Sequence, residues 1–467
     1  MGSKWERIKI EQLQANQKGA IAIGPFGSRM KSDCYVPYGI PVVRGTNISS
    51  GPDFKGEFVY ISPELADTLV SCNVYKNDLV FPHRGSIGEV GIINDNNRYV
   101  LSSSMMKLTC DCKKANAMFL YYFFKSHKGR NELLKNASQV GTPGIAQPLS
   151  SLKQIEIELP PLDTQIKIIE IIQSLDQKIS LNSSINQTLA QMSQTLFKSW
   201  FVDFDPAIDN ALDAGTTIPD MLQSRAELRQ KVRNSADFKP LPADIRALFP
   251  AEFEETGLGW VPKGWTLESV AKAININPSV KLPQNTIAKY VDMKSLPTQG
   301  YSISEVIEKP YAGGAKFQKN DTLFARITPC LENGKTGFVD FLDEKEIAFG
   351  STEFIVMRGN TKVHYSYVAC LARENNFRSH AIQNMVGSSG RQRVQNSCFD
   401  SFYIAIPTPS VMSLFAGKVS SYFDKMYSCN LENKSLTSLR DTLLPKLISG
   451  ELSLEDLPNL VAQTEPA

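Results

Sequence analysis

The chain lacks any apolar run near the eighteen or so residues that a membrane-spanning helix needs. Its first residues, Met1-Gly2-Ser3-Lys4-Trp5-Glu6-Arg7, also lack the apolar core of a secretory signal. The expected location is therefore cytoplasmic. Cysteine is sparse, with eight in 467 residues and none spaced as CxxC. Cys110 and Cys112 are the nearest pair, and the four histidines, His83, His127, His364 and His380, do not gather around them. This argues for reduced thiols and against a disulfide framework or a zinc site. Catalytic motifs are missing too: there is no Ser/His/Asp grouping, no Asn/Asp-Pro-Pro-aromatic signature of amino methylation, and no Gly-rich loop suited to S-adenosylmethionine. The stretch ending Gly334-Lys335-Thr336 resembles the end of a phosphate-binding P-loop, but Pro329 stands where the first glycine belongs and breaks the nest of amides. Acid-x-Lys triplets at 176–178, 343–345 and 432–434 are what a chain with 21% charged residues contains by chance.

What is present is a repeat. From Asp163 to Trp200, after the Pro160-Pro161 stop, Ile168, Ile172, Leu175, Ile179, Leu189 and Leu196 recur at spacings of three and four with no Gly or Pro between them. That periodicity predicts one long helix with a single apolar stripe, about 57 Å at roughly 1.5 Å per residue. A diverged copy runs from Pro407 to about Ser449, with Val419, Phe423, Met426, Leu436, Leu439 and Leu443 as its stripe. Asp176 matches Asp424, and Asn182 and Asn430 fall in register inside the stripes, where an amide lowers stability but fixes pairing.

The two segments outside the helices are the basic ones. Residues 1–160 carry 19 Lys and Arg against 14 Asp and Glu, and 260–407 carry 17 against 13, whereas 201–259 carry 6 against 11. This is a weak pointer to a polyanionic partner. The first segment reads as short strands at 58–61, 78–81, 90–93 and 104–108, then a helix over 115–125 whose aromatics on all faces mark it as core. Between these elements lie loops joining glycine to cations and amides: 24–31, 43–47, 83–86 and 141–147. In such loops the backbone can approach phosphates while Arg, Asn and Gln reach base edges. The candidate contacts are Arg29, Lys31, Arg44, Asn47, Arg84 and Gln147.

Residues 203–259 are acidic but rich in Phe, Leu and Trp, which predicts an ordered, extended connector with a helix near 222–233. The second segment repeats the layout of the first: Lys319-Asn320-Asp321 answers Lys76-Asn77-Asp78, and 387–393 answers 141–147. Its candidates are Arg326, Lys335, Arg391, Gln392 and Arg393; for Arg326 and Lys335 a purely structural part in a strand-turn-strand is an open alternative.

Long motifs then carry a resemblance. Leu159-Pro-Pro-Leu-Asp-Thr-Gln165, Leu196-Phe-Lys-Ser-Trp-Phe-Val-Asp-Phe-Asp-Pro206, Leu248-Phe-Pro250 with Leu258-Gly-Trp-Val-Pro-Lys-Gly-Trp265, Asp321 to Thr336, and Leu444-Pro-Lys-Leu-Ile-Ser-Gly-Glu-Leu452 resemble the DNA-specificity subunits of type I restriction-modification systems along nearly the whole chain. The resemblance implies an α+β fold in which a pair of long antiparallel helices separates two mixed α/β target-recognition domains. Its parts are a first target-recognition domain over 1–159, a first long helix over 160–202, the connector over 203–259, a second target-recognition domain over 260–406, and a second long helix with its tail over 407–467. It also implies a non-catalytic reader of an asymmetric bipartite target in double-stranded DNA, docking two methyltransferase subunits that restriction and translocase subunits can join. No cofactor is expected in this chain: S-adenosylmethionine belongs to the methyltransferase partner, and ATP and magnesium to the restriction partner. The second helix begins Pro407-Thr-Pro-Ser-Val-Met412 without the Gln of the first, so its methyltransferase contact is expected to differ. The residues alone leave two rivals, a free-standing DNA-binding regulator and a nuclease acting alone.

Overall fold

Both long helices form. In the computed structural model, which describes residues 5–49, 51–138, 143–388 and 390–456, the first runs Leu162–Phe197 and widens into a π-helical turn over Lys198–Val202. The second runs Pro409–Ser449. Pro161 opens the first, its carbonyl accepting from the Thr164 and Gln165 amides at 2.9 and 3.0 Å. Among the described residues no helix is long and apolar enough to cross a membrane, and all eight cysteines are free thiols.

The chain forms two compact units. One takes in residues up to Ile179 and from Ser435 onward; the other is Ser180–Lys434, so each long helix gives a part to both. In the first unit, strands 21–23, 105–108, 79–82 and 91–92 form a four-stranded sheet in that order. A second sheet orders 35–36, 59–61, 40–43, 99–101 and 73–74, with 40–43 parallel to 99–101. The second unit repeats this plan. Strands 275–276, 354–358, 322–325 and 336–338 make one sheet, while 307–310, 287–291, 347–350 and 315–318 make the other, again around a parallel pair, 287–291 with 347–350. Each unit adds two short helices, Ala117–Lys125 with His127–Leu134 and Tyr365–Leu371 with Asn375–Gln383. The aromatics of 117–125 are all buried, as a core helix requires.

The Asn-Asp landmark shared by the segments is structural. Asn77 and Asn320 take left-handed backbone (φ 71° and 68°) and turn the chain into strands 79–82 and 322–325. The next residue, Asp78 or Asp321, is buried and accepts an amide at 2.9 Å from Tyr75 or 2.8 Å from Gln318. Asp321 also takes a bidentate pair from Arg358 at 2.6 and 2.7 Å, whereas Asp78 is met by Thr109 and by Lys107 at 3.8 Å.

The long helices run antiparallel, and within the second unit their apolar seam is interrupted by amides. Asn182, 1% exposed, donates to Glu432 Oε2 at 2.8 Å and Asn433 Oδ1 at 3.0 Å; Asn186 donates to Asn430 Oδ1 at 2.7 Å. The two in-register asparagines therefore do not meet each other, because antiparallel packing sets each against a different neighbour. In the first unit Asp176 joins the helices by accepting from Arg440 at 2.9 Å and from the Tyr122 hydroxyl.

The connector is ordered but helical, not extended. Helices Asp205–Ala214 and Asp220–Arg233 carry acids and arginines every fourth residue, and Asp205, Asp209 and Asp213 face Arg225, Arg229 and Arg233, each pair 20 residues apart. The matching period of two helical faces, which only packing reveals, replaces the extended path that composition suggested.

Candidate nucleic-acid interface

Strand direction gathers the loops. In the first unit, strands 21–23, 40–43, 79–82 and 99–101 all end at the edge where 105–108 begins. The loops leaving them are tied together by backbone bonds: Gly24 N–H to Met105 O at 2.8 Å, Ser102 N–H to Val43 O at 3.0 Å, and His83 N–H to Ser104 O at 2.8 Å. A Cβ on Gly24 would sit 1.8 Å from the Ser102 carbonyl oxygen, so only glycine permits this approach. The hairpin 137–138/144–145 is fastened to the same edge by Gly85 N–H to Pro143 O and Ile145 N–H to His83 O, both at 2.9 Å. All four loops read from the sequence thus share one rim, though Gly141 and Thr142 lie outside the described residues.

On that rim Arg29, Lys31, Arg84 and Gln147 are exposed and make no side-chain bond among the described residues. Arg44 and Asn47 are spent differently. Asn47 is 1% exposed, donates to the Lys55 and Glu57 carbonyls at 3.2 and 3.1 Å and accepts the Arg44 amide at 3.1 Å; Arg44 Nη2 donates to Glu57 O at 2.7 Å. Their polar atoms shape the loop over residues 44–57, and a buried amide with satisfied bonds has none to offer a base. Sequence reasoning missed Phe26, which is 52% exposed between Pro25 and Gly27, with its ring 6.4 Å from His83. An aromatic beside glycine and upstream of Arg29 was a legible signal. Burial lowers the His83 pKa, so the imidazole at this rim is held neutral.

The second unit has the same rim. Strand 322–325 ends at Arg326, and the hairpin 385–386/393–394 bridges to Ile327. Here most candidates are structural. Lys335 donates to the carbonyls of Met293, Lys294 and Leu296 at 2.8, 3.2 and 3.4 Å, and Arg326 Nη2 donates to Val394 O at 2.7 Å. Arg393 forms a bidentate pair with Glu353 (Nε 2.9 Å and Nη2 2.7 Å), holding that carboxyl below its usual range. Arg326 and Lys335 are thus bonded to backbone carbonyls around the strand-turn-strand, as their structural alternative has it, and Arg393 is bonded to Glu353. Arg391 is exposed, and Gln392 keeps its side chain uncommitted while its backbone is clamped by Thr328 (both bonds 3.1 Å). The P-loop likeness dissolves: the segment is a strand-turn-strand whose Lys335 faces carbonyls.

Residues 24–191 match the family model of the type I restriction modification DNA specificity domain. The HindI specificity subunit of Haemophilus influenzae is 26% identical over 77% of this chain and 82% of its own length. The MjaIX specificity subunit of Methanocaldococcus jannaschii is likewise 26% identical, over 73% of this chain and 70% of its own. Over this length the chain is similar to type I restriction-modification specificity subunits. The solved S subunit from M. genitalium has the same fold, covering 95% of this chain and 96% of its own at a TM-score of 0.53 and 15% identity.

The family motifs now have physical roles. Gln165 is fully buried: its Oε1 accepts the Asn116 amide at 2.8 Å and its Nε2 donates to Pro160 O at 2.8 Å, locking the start of the first long helix to the cap of helix 117–125. It is not a surface contact, so its absence from the second copy carries no message about a partner. Trp200, Phe201, Phe249 and Trp265 come from three separated motifs and meet in one aromatic core with Tyr367 and Phe415, Trp200 to Phe249 at 5.0 Å and Phe201 to Phe415 at 4.8 Å. Asp205, 4% exposed, is held by Arg225 at 2.7 and 2.8 Å and by Ser199 at 2.8 Å, which anchors the connector.

Proposed function

We propose that the two rims read the two halves of an asymmetric bipartite site in double-stranded DNA, and that the chain scaffolds the methyltransferase subunits that modify it. The observation that carries this is one scaffold used twice with dissimilar loops. The first rim offers Arg29, Lys31, Arg84, Gln147 and the exposed Phe26, whereas the second offers Arg391 and Gln392. Exposed cations at strand ends suit phosphate and base-edge contacts, while committed side chains such as Arg393 and Lys335 fix the loops that carry them. S-adenosylmethionine belongs to the methyltransferase, and ATP with magnesium to any restriction subunit that joins. Methylome sequencing of a host carrying this chain with its methyltransferase tests the reading. The expected result is one bipartite motif with unlike halves, changed in one half only by Arg84→Ala. A palindromic motif, or methylation independent of this chain, refutes it. A free-standing regulator would bind its site without any methyltransferase in its cell.

A further inference from the structure

In the second unit, beside the start of strand Thr336–Phe338, a cleft of about 630 Å³ lies between the two long helices, the loop 298–302 and the helix pair 365–383. Its walls carry amides, among them Gln187 and Gln191, and two guanidiniums, Arg373 and Arg378. Neither arginine forms an ion pair among the described residues. Arg373 is fixed by four backbone carbonyls: Pro297, Thr298, Gly334 and Thr336, at 2.6 to 3.4 Å. Arg378 gives one nitrogen, Nη2, to the Leu331 and Glu332 carbonyls at 3.2 and 3.4 Å. The Nε atoms of both are buried without a partner. The carboxylate between them in sequence, Glu374, caps the Phe377 amide at 2.8 Å.

Two half-buried cations side by side with no counter-charge are costly to hold, because carbonyl dipoles satisfy hydrogen bonds but do not neutralise charge. Burial, reinforced by the neighbouring Arg378, lowers the Arg373 pKa to about 10. A guanidinium whose Nη1 makes no bond among the described residues, Arg378, set beside the unneutralised charge of Arg373 in the wall of an amide-lined space, is the chemistry that takes an oxyanion. We propose that this cleft is a phosphate-binding site, with Arg378 as its direct ligand, Arg373 as the fixed positive floor and the glutamine amides as further donors. The residues that Arg378 grips, 331–332, belong to the turn that leaves strand 322–325 at Arg326 on the second rim. A backbone phosphate of duplex DNA flanking the half-site is therefore the source the geometry favours over a free phosphate. This choice of source rests on the DNA-reading role; the site itself does not.

The test uses the full-length chain, with inorganic phosphate as probe against chloride at matched ionic strength. Phosphate should raise Tm in the native protein. Arg378→Gln should weaken the apparent affinity at least tenfold. Because that change also releases the 331–332 carbonyls, Gln191→Glu, on the exposed face of the helix, provides a second reading: an internal carboxylate should raise Tm without phosphate and abolish the response to it. If the phosphate comes from DNA, Arg378→Gln should also reduce the slope of log K against log salt by about 1 while half-site preference stays unchanged. An unchanged slope with a lost phosphate response identifies a free phosphate as the ligand. No phosphate effect in the native chain, or equal effects in both variants, overturns the site. Failure to bind DNA at all would refute the reader assignment yet leave the phosphate response to be scored.

Discussion

Replacing Gln165 with alanine should destabilise the first unit and leave partner binding intact. The side chain is fully buried and closes two bonds at 2.8 Å, to the Asn116 amide and the Pro160 carbonyl. Truncation leaves one donor and one acceptor unpaired away from water, at about 1–3 kcal/mol for each buried group. Relaxation or an admitted water re-pairs part of what is lost and trims the upper end of that sum by about 2 kcal/mol, so about 2–4 kcal/mol is expected. That is a large share of the stability of a domain. Trp5 is the only tryptophan of this unit, against Trp200, Trp260 and Trp265 in the other, so fluorescence reports mainly the second unit. Hydrogen exchange at strand Met105–Leu108 is the suitable probe for the first. Exchange there should accelerate by one to three orders of magnitude, while the tryptophan-reported transition stays put. Co-purification with a methyltransferase, measured well below the unfolding transition, should be unchanged. Exchange at the native rate together with loss of the partner would refute the buried-lock account and restore a surface role for Gln165.

Arg84→Ala should weaken DNA binding by about 1–3 kcal/mol through one half-site only, whereas Lys335→Met should lower the thermal stability of the second unit and leave base preference unaltered; competition binding with half-site mutants separates the two. Asp205→Ala should cost about 1–3 kcal/mol, since it removes the two bonds to the part-buried Arg225, which keeps Asp203 at 3.0 Å, and the one from Ser199, and so loosens the connector helices. Limited proteolysis between residues 205 and 246 should detect the loosened connector, and resistance equal to the native chain would contradict its anchoring role. His83 has a folded pKa below its ordinary 6.5 because burial disfavours the imidazolium. The unfolded chain therefore takes the proton first, and the first unit should lose stability as pH falls through about 6.5. His83→Gln should flatten that slope in hydrogen exchange; an unchanged slope would assign the acid sensitivity elsewhere.

Periodicity and motif were enough to specify the two long helices, the doubled layout and the core role of helix 117–125, because each is a local pattern: apolar residues at three and four, a Pro-Pro stop, aromatics on every face. The loops at 24–31, 83–86 and 143–147 were likewise legible from glycine set beside cations. What the linear chain could not show is which polar side chains remain free. Arg391 and Arg393 stand two residues apart in one loop, yet one is exposed and the other is bound to Glu353, forty positions away. Asn47 looked like a reader and is buried; Gln165 looked like a partner contact and is an internal lock. The connector's acids and arginines became a ladder only once two helices packed face to face. Hydrogen-bond partners of polar groups are set by approaches between distant segments, so local sequence gives the scaffold and the residue types at the rim, while tertiary packing decides which of those residues are left to bind anything else.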